Sequence, residues 1–342
     1  MEIAGRKIGN NYDPLIIAEI GINHNGDLAV AKQMVDSAFR AGVEIIKHQT
    51  HIVEDEMSPE AKKVIPVHSN KSIYEIMESC SLNENDEFEL KNYVESKGMI
   101  FISTPFSRAA VNRLVDFDVP AFKIGSGECN NYPLIEHLCK FQKPIILSTG
   151  MNNIQSVRKA VSIFVKNKIE YALLHTTNLY PTPHNLVRLG GMQELMREFK
   201  NIPVGLSDHT TDNLSSYAAI SLGACIVEKH FTDSKDREGA DIPCSMDEKT
   251  CKELILNSKL IKSMLGGKKE AAKEEKATID FAFATVVAIK DILNGEKFTH
   301  ENIWVKRPGT GEIRAEHYND VLNKKSNRKI KKGEHISYKD II

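Results

Sequence analysis

Short apolar runs that end abruptly in polar residues recur eight times along the first two thirds of the chain. Segments with an amphipathic helical pattern separate them, and this alternation predicts parallel strands joined by crossover helices. Eight such units predict a (β/α)8 TIM barrel, whose functional side chains lie at the C-terminal ends of the strands. The runs occupy residues 15–23, 45–50, 100–105, 121–128, 144–150, 172–178, 204–209 and 226–232.

One connection between predicted strands is much longer than the others. Residues 51–82 exceed the usual length of a βα loop. They include a short amphipathic stretch at 72–78, which contains apolar residues such as Ile73 and Met77. Long loops at the mouth of a barrel commonly carry function. We therefore expect this connection to cover the mouth of the barrel.

The chain changes character after residue 266. Residues 267–282 are rich in charge and poor in apolar side chains, which predicts a linker. Residues 283–342 contain two strand-like runs, at 285–289 and 302–305, and form a small C-terminal domain in this interpretation. Because about 60 residues are near the lower limit for independent folding, we expect this domain to dock against a barrel. The predicted organisation is a barrel at 1–266, a linker at 267–282 and a small domain at 283–342.

Composition excludes several classes of protein. The 342 residues are 41% hydrophobic and 27% charged, with a formal net charge of −1, which is typical of a globular protein without a basic surface for nucleic acid. No apolar stretch approaches the ~18 residues of a membrane span. Residues 1–13 lack the features of a signal peptide, so we expect a cytoplasmic protein. The six cysteines form no CxxC pair and are expected to be reduced and structural.

Two lysines lie within apolar runs, where a buried cation needs an anionic partner. Side chains alternate along a strand, so Lys47 and Gln49 share one face and His48 points to the other. Hydroxyl groups at neighbouring strand ends add the donors that a phosphate needs. This set predicts a phosphate or carboxylate site; the alternative is that each lysine pairs with a structural carboxylate such as Glu19 or Glu128. The lysines are Lys47 and Lys123, and the hydroxyls belong to Thr104, Ser126 and Ser148.

Two histidines end the seventh and eighth predicted strands, which are neighbours in a barrel. His209 and His230 could share a divalent cation, with water or substrate oxygens in the remaining positions. The alternative is a pair of hydrogen-bonded core histidines. We expect His24 to be structural, beside the Asn25-Gly26 turn, and His51 to be a surface or loop residue.

Carboxylates complete the candidate chemistry. Glu19 and Glu128 end the first and fourth predicted strands, and each is a candidate general acid or base or a counter-charge for the lysines. Asp241 lies in a Gly-rich loop after the eighth strand, where it could bind hydroxyl groups of a polar substrate. Arg307 lies at a turn of the small domain, where a guanidinium is usually solvated.

Long stretches around these residues resemble the bacterial sialic acid synthases (N-acetylneuraminate synthases), which condense phosphoenolpyruvate with N-acetylmannosamine. The end of the chain resembles the antifreeze-like (SAF) domain of that family, with residues 305–309 as its signature. The resemblance extends over essentially the whole chain. The other matching motifs are residues 18–26, 47–57, 103–107, 123–131, 178–183 and 206–209.

The resemblance implies roles for individual residues. Glu128 matches a catalytic carboxylate near the reacting carbons, and Glu19 would help to position the aldehyde and the water. His209 and His230 match the ligands of a divalent metal, usually Mn²⁺, with Mg²⁺ or Co²⁺ possible. Arg307 matches an arginine that one subunit inserts into the barrel of its partner, which implies a homodimer with swapped C-terminal domains. The phosphoenolpyruvate site would comprise Lys47, Thr104, Lys123, Ser126, Ser148 and Asn178, and the sugar site Glu19, Gln49, Tyr180, Asp241, Phe281 and Arg307.

Two positions depart from the family pattern. Val67 and His68, with Asn70 nearby, replace a Gly-Asn pair in the long loop, and Ala240 replaces a proline before Asp241. The sugar is therefore open between N-acetylmannosamine and 2,4-diacetamido-2,4,6-trideoxymannose, the precursor of legionaminic acid. A 6-phosphate of N-acetylmannosamine is disfavoured because the matched sugar residues include no second basic cluster. A sugar- or ice-binding protein without catalysis is the alternative from another class, and it would not need a metal beside an anion site.

Overall fold

The chain begins with a short antiparallel hairpin, β1 (Glu2–Ile3) with β2 (Arg6–Lys7), and continues into a closed barrel of eight parallel strands. The barrel strands are β3 (Leu15–Glu19), β4 (Ile45–Thr50), β5 (Ile100–Pro105), β6 (Phe122–Ile124), β7 (Ile145–Ser148), β8 (Tyr171–Thr176), β9 (Val204–Asp208) and β10 (Ile226–His230). They follow chain order around the barrel, and β10 pairs with β3 to close it. The predicted TIM barrel is confirmed.

This computed structural model describes residues 1–66 and 70–342. Within them the chain forms two units, Met1–Gly266 and Gly267–Ile342. Val67 and His68, one of the two departures noted from the sequence, lie outside the described residues.

Helices follow the strands of the first unit. Asp27 caps α1 (Leu28–Ala41) by accepting hydrogen bonds from the backbone N–H groups of Ala29 and Val30. Gly42 ends the helix in the left-handed conformation, at φ 88°. The other helices are α2 (Val53–Glu56), α3 (Ile73–Cys80), α4 (Glu84–Ser96), α5 (Arg108–Asp116), α6 (Tyr132–Cys139), α7 (Ile154–Lys166), α8 (Leu189–Glu198), α9 (Leu214–Ser221) and α10 (Glu248–Met264).

The strands place two kinds of side chain inside the barrel. Along β3, Leu15 and Ile17 belong to an apolar interior cluster, which also includes Ile45 of β4 and Ile226 of β10. The next inward position on β3 is Glu19, because inward residues recur every second position. The same switch from apolar to polar occurs on the other strands. The barrel is therefore filled by packed apolar layers and topped by a polar layer at its C-terminal end.

The second unit contains α11 (Lys276–Ala282), the antiparallel pair β11 (Thr285–Ala288) and β12 (Ile303–Lys306), and α12 (Tyr318–Val321). Both strands overlap the strand-like runs seen in the sequence. The segment interpreted as a linker is partly helical, since it carries α11. The apolar core of this unit consists of Val286, Ala288, Ile292, Phe298, Ile303, Ile313, Val321, Ile330 and Ile336.

Two further sequence expectations concern membranes and thiols. Within the described ranges, no helix has both the length and the apolar character needed to cross a bilayer. All six cysteines are buried and form no disulfide. Burial raises the pKa of the Cys129 and Cys251 thiols to about 12, so these thiols are unreactive at neutral pH.

Candidate active site

A cavity of about 780 Å³ opens at the C-terminal ends of the barrel strands, a size typical of small-molecule sites. Part of its lining comes from the long connection after β4, through Pro66, Ile73, Ile76 and Met77. That connection was expected to cover the mouth of the barrel, and it does line the cavity. The predicted site residues that line the same cavity are Glu19, Lys47, Gln49, Thr104, Lys123, Ser126, Ser148, Asn178, Tyr180, His209, His230 and Asp241.

One side of the cavity combines ammonium and hydroxyl groups. Lys123 Nζ donates to Ser148 Oγ at 2.7 Å, and Lys47 Nζ donates to Thr104 Oγ1 at 3.1 Å. Ser126 Oγ accepts from the backbone N–H of Gly150 at 3.0 Å, which leaves the hydroxyl proton available to a ligand. Two buried cations with converging hydroxyl donors are suited to binding a phosphate or a carboxylate.

A buried carboxylate that the sequence analysis did not select lies between the two lysines. Glu228 Oε1 is 3.7 Å from Lys47 Nζ and 3.5 Å from Lys123 Nζ. Lys47 also contacts Glu19, its register partner on β3. The lysines thus have structural carboxylate partners, as the alternative interpretation held. The partner of Lys123 is Glu228 and not Glu128.

Burial and mutual charge set the protonation of this cluster. Burial lowers the pKa of Lys47 to about 7 and also lowers that of Lys123, while the charge of Glu228 opposes both shifts. Burial alone would raise the pKa of Glu228, but the charges of Lys123 and Lys47 bring it below its ordinary value. An anionic ligand would further stabilise the charged form of both lysines.

Two imidazoles lie beside this cluster. The ring centroids of His209 and His230 are 5.4 Å apart, and the Tyr180 ring stacks on His209 at 4.2 Å. His209 Nδ1 lies 2.9 Å from the carbonyl oxygen of Thr177, so Nδ1 carries the proton and Nε2 keeps its lone pair. Burial lowers the pKa of His209 to about 4 and that of His230 to about 3. Both rings are therefore neutral at pH 7, as metal ligands must be.

This donor set fits a divalent cation held by two protein ligands. His230 Nδ1 is buried and has no hydrogen-bond partner in the described part of the chain. Asp241 Oδ2 lies 3.7 Å from that nitrogen. Within residues 1–66 and 70–342, no group of three or more His, Cys, Asp or Glu side chains is arranged to hold a metal. Water or substrate would fill the remaining positions, as in open catalytic sites.

An ion pair lies on the outer face of the strands that carry these histidines. Lys229 Nζ is 3.1 Å from Asp208 Oδ2, and both side chains are 1% exposed. Asp208 also accepts hydrogen bonds from the hydroxyls of Ser215 and Ser216 on α9, each at 2.7 Å. Because Asp208 precedes His209 and Lys229 precedes His230, the pair ties β9 to β10 directly behind the two imidazoles.

Gln49 connects the cavity to two neighbouring segments. Its amide nitrogen donates to the carbonyl oxygen of Gly21 at 2.9 Å, and its Oε1 lies 3.1 Å from His51 Nε2. His51 is buried, stacks on Phe106 at 4.3 Å and pairs with Glu56 of α2. His51 was expected to be a surface or loop residue: it does lie in the loop after β4, but it is buried, because α2 folds back and supplies its partner.

Three predicted site residues lie elsewhere. Glu128 ends a short 3-10 turn after β6, and its carboxylate accepts a hydrogen bond from Asn131. It is half-buried and is not among the described residues that line the cavity, and burial raises its pKa. Phe281 and Arg307 belong to the second unit, where the guanidinium lies 5.9 Å from the ring centroid.

Comparison with families of known proteins gives two matches. A profile of the NeuB family matches residues 34–270, and a profile of the SAF domain matches residues 283–342. The first match covers most of the barrel, including both lysines and both histidines described above. The second covers most of the small C-terminal unit.

Individual proteins similar to this chain cover nearly its full length. It is 37% identical to the N,N'-diacetyllegionaminic acid synthase of Campylobacter jejuni, over 94% of this chain and 98% of that protein. It is 31% identical to the human N-acetylneuraminate-9-phosphate synthase, over 93% of this chain and 89% of that protein. The crystal structure of the N-acetylneuraminic acid synthetase from Leptospira borgpetersenii, in complex with citrate, superposes with a TM-score of 0.74 at 31% identity, covering 82% of this chain and 94% of that one.

Proposed function

Because this chain belongs to the NeuB family, we propose that it is a transferase that condenses phosphoenolpyruvate with N-acetylmannosamine and water, releasing N-acetylneuraminate and phosphate. The observation that carries the proposal is the meeting of two buried lysines and two neutral histidines in one cavity. The lysines suit the anionic substrate, and the histidines suit a metal near a polar second substrate. A protein that only binds sugar or ice would need neither.

In the proposed reaction, the chain orients two substrates. Lys47, Lys123 and the hydroxyls of Thr104, Ser126 and Ser148 would hold phosphoenolpyruvate with its C3 over the aldehyde of the open-chain sugar. Attack by C3 forms the new carbon–carbon bond and opens the aldehyde C=O bond, so that its oxygen takes up a proton and becomes a hydroxyl; the attack leaves a cation at C2, which water captures. Loss of phosphate by C–O cleavage then gives the keto acid. Glu128 does not line the cavity but directly follows the lining residues Ser126 and Gly127; we propose that its carboxylate accepts the proton of the water, and that Glu19 positions the aldehyde and the water.

His209 and His230 would hold the divalent cation, which we propose to be Mn²⁺, with Mg²⁺ or Co²⁺ as other candidates. When bound, such a cation supplies a Lewis acid for the sugar aldehyde. The Thr177 carbonyl fixes the tautomer of His209, and the Tyr180 ring fixes its plane. These contacts hold the imidazole ready without side-chain reorganisation.

Phosphate release tests the proposal. Purified protein is mixed with phosphoenolpyruvate, Mn²⁺ and one of three sugars: N-acetylmannosamine, its 6-phosphate or 2,4-diacetamido-2,4,6-trideoxymannose. We expect release that depends on both sugar and metal, is fastest with N-acetylmannosamine and stops on addition of a chelator. No release with any sugar would exclude the proposed activity.

The trideoxy sugar is the second candidate substrate. Its C6 methyl group and second acetamido group would suit the apolar wall of the cavity, formed by Ile22, Pro66, Ile73, Ile76 and Met77. The similarity to a legionaminic acid synthase supports the same choice. Lys47 and Lys123 are the only lysine or arginine side chains among the described lining residues, which disfavours a second phosphate on the sugar.

We expect Glu128→Gln to lower turnover on the order of 100-fold and to remove one limb of the pH profile, because an amide cannot exchange the proton of the attacking water. Burial raises the pKa of Glu128, which brings its titration closer to neutral pH. The measurement is kcat against pH for both proteins. Near-normal turnover with an unchanged profile would transfer the role to another group, with Glu19 as the first candidate.

We expect Gly150→Ala to lower kcat/KM for phosphoenolpyruvate on the order of 100-fold, since small displacements of positioning groups have large effects on rate. A Cβ at this position would lie 1.9 Å from Asn178 Oδ1 and 2.9 Å from Ser126 Oγ. Gly190→Ala on α8 is the matched control, because Gly190 does not line the cavity and a Cβ there meets no atom within 4 Å. Equal kinetics for the two variants would contradict the role of Asn178 and Ser126 in binding.

We also propose that the protein is a homodimer in which Arg307 of one subunit completes the site of the other. Mixed dimers test this: Arg307→Ala and Lys123→Met subunits, each inactive alone, should regain activity when unfolded and refolded together. In a mixed dimer, one site would combine an intact barrel with an intact arginine. No recovery would place Arg307 in the site of its own chain or outside the reaction.

A further inference from the structure

A row of buried, hydrogen-bonded polar groups lies on the outer face of the barrel, between the strands and the helices. We call it the histidine network. The backbone N–H of Gly26 donates to His24 Nδ1 at 3.2 Å, His24 Nε2 lies 3.1 Å from His48 Nε2, and His48 Nδ1 lies 3.1 Å from Glu87 Oε1 on α4. The side chains of His24, His48 and Glu87 are each 1% exposed. The two imidazoles stack with their centroids 5.1 Å apart.

The groups at the two ends of the histidine network fix the direction of its hydrogen bonds. An amide N–H can only donate, so His24 Nδ1 carries no proton and Nε2 must carry it. His24 Nε2–H then donates to His48 Nε2, which forces the proton of His48 onto Nδ1, toward Glu87. Glu87 is an acceptor because the hydroxyl of Thr50 donates to it and Arg113 Nη1 lies 3.2 Å away. The hydrogen bonds therefore assign opposite tautomers to the two histidines, and every bond points toward Glu87.

The histidine network holds the turn that follows β3 from one side, and Gln49 holds it from the other. Successive residues of β4 point to opposite faces, so His48 holds the turn from outside the barrel while Gln49 holds it from inside. Gln49 does so through the carbonyl oxygen of Gly21, at 2.9 Å. The fit is tight, because a Cβ on Gly21 would lie 2.8 Å from the backbone nitrogen of Gln49.

The turn that follows β3 supports one end of the cavity. The backbone N–H of Gly21 donates to Glu19 Oε1 at 2.7 Å, and Ile22 lines the cavity beside Glu19. Asn23 gives the turn a separate anchor, since its amide donates to the carbonyl of Phe231 at 2.9 Å and to Ser245 Oγ at 2.8 Å. Removing a hydrogen bond of the histidine network should therefore shift the turn without unfolding it.

Apolar side chains would fill this interface at a lower desolvation cost than three ionisable groups. We propose that His24 and His48 are positioning residues for the second substrate, the sugar, and that they act by holding the turn that places Glu19 and Ile22. The proposal rests on the proposed function, in which Glu19 contacts the sugar. On the anion side of the cavity, Lys47 of β4 contacts Glu19, but Thr104, Lys123 and Ser148 lie on β5 to β7, away from this turn.

His48→Phe is the decisive variant, because phenylalanine keeps the ring and the stacking but removes both nitrogen atoms. We expect KM for the sugar to rise about tenfold, with KM for phosphoenolpyruvate within about twofold of normal. His48→Gln should stay closer to the unsubstituted enzyme, since its amide can accept from His24 and donate to Glu87. His137→Phe is the matched control: His137 bonds Asn112 on a neighbouring helix, away from the cavity.

An unchanged sugar KM in His48→Phe, or an equal rise in both KM values, would overturn the proposal. Nitrogen-15 NMR of the unsubstituted protein gives a second test, which does not depend on whether the variant folds. We expect the Nε2–H tautomer for His24 and the Nδ1–H tautomer for His48, and any other pair of states would also overturn the proposal. If the unsubstituted protein turns over no sugar, the proposed function fails. The tautomer measurement still tests the hydrogen bonds of the histidine network.

Discussion

Lys123→Met should lower kcat/KM for phosphoenolpyruvate by about 10³-fold, the loss expected when a buried charge-assisted donor is removed from a reacting anion. Methionine keeps most of the volume of the side chain, so the barrel interior stays packed. Glu228 retains Lys47 at 3.7 Å as a partner and is not left as an isolated buried charge. The measurement is the initial rate of phosphate release as the concentration of phosphoenolpyruvate is varied.

Lys143→Met supplies the control for this experiment. Lys143 precedes β7 at the opposite end of the barrel and forms an ion pair with Asp118, which is 92% exposed. The same substitution there should leave kcat/KM within about twofold of normal, because Lys143 does not line the cavity and exposed ion pairs contribute little to stability. If Lys123→Met stayed within tenfold of the unsubstituted protein, the anion site would have to lie elsewhere in the cavity.

Mild acid should destabilise the metal-free protein through three buried histidines, with partial opposition from Asp241, whose pKa burial raises to about 6. Burial lowers the pKa of His24, His209 and His230 from 6.5 to about 3, 4 and 3. Below pH 6.5 the unfolded chain binds protons that the folded chain does not, so stability falls as the pH falls. At pH 5.5 each histidine should lower the free energy of unfolding by about 1.4 kcal/mol, or about 4 kcal/mol together.

Urea denaturation at pH 7.5 and pH 5.5, with a chelator present, measures this effect. The exposed His184 gives the comparison: His184→Gln should leave the difference between the two pH values unchanged. Replacing His24 with phenylalanine should reduce the difference by about one third, because one of three contributing groups is gone. Equal stability at the two pH values would mean that these histidines are charged or hydrated in the folded protein.

Strand alternation made much of the site predictable. It placed Lys47 and Gln49 in the cavity and His48 on the opposite face, and the structure has all three there. The same rule applies to β10, where Glu228 lies two residues before His230 and so shares its face. That spacing was a signal for Glu228 that the sequence analysis did not use.

The partners of these residues could not be read from the sequence. Alternation gives the face of a side chain but not which side chains meet across the barrel. Glu228 on β10 reaches Lys47 on β4 and Lys123 on β6, and neither strand is a neighbour of β10. Glu128 shows the opposite case: it follows a strand end, yet a 3-10 turn leads it toward Asn131. Both outcomes depend on the curvature of the closed sheet and on local turns.

The Asp208–Lys229 pair limits how the heat tolerance of this barrel can be engineered. Removing one partner alone leaves a buried charge and costs about 3–5 kcal/mol, whereas exchanging both for apolar residues of similar volume is often neutral or stabilising. Ser215 and Ser216 would then lose their acceptor, so a designer has to change the pair and the facing surface of α9 together. Such a redesign alters the backing of His209 and His230, so a more durable catalyst made in this way risks being a slower one.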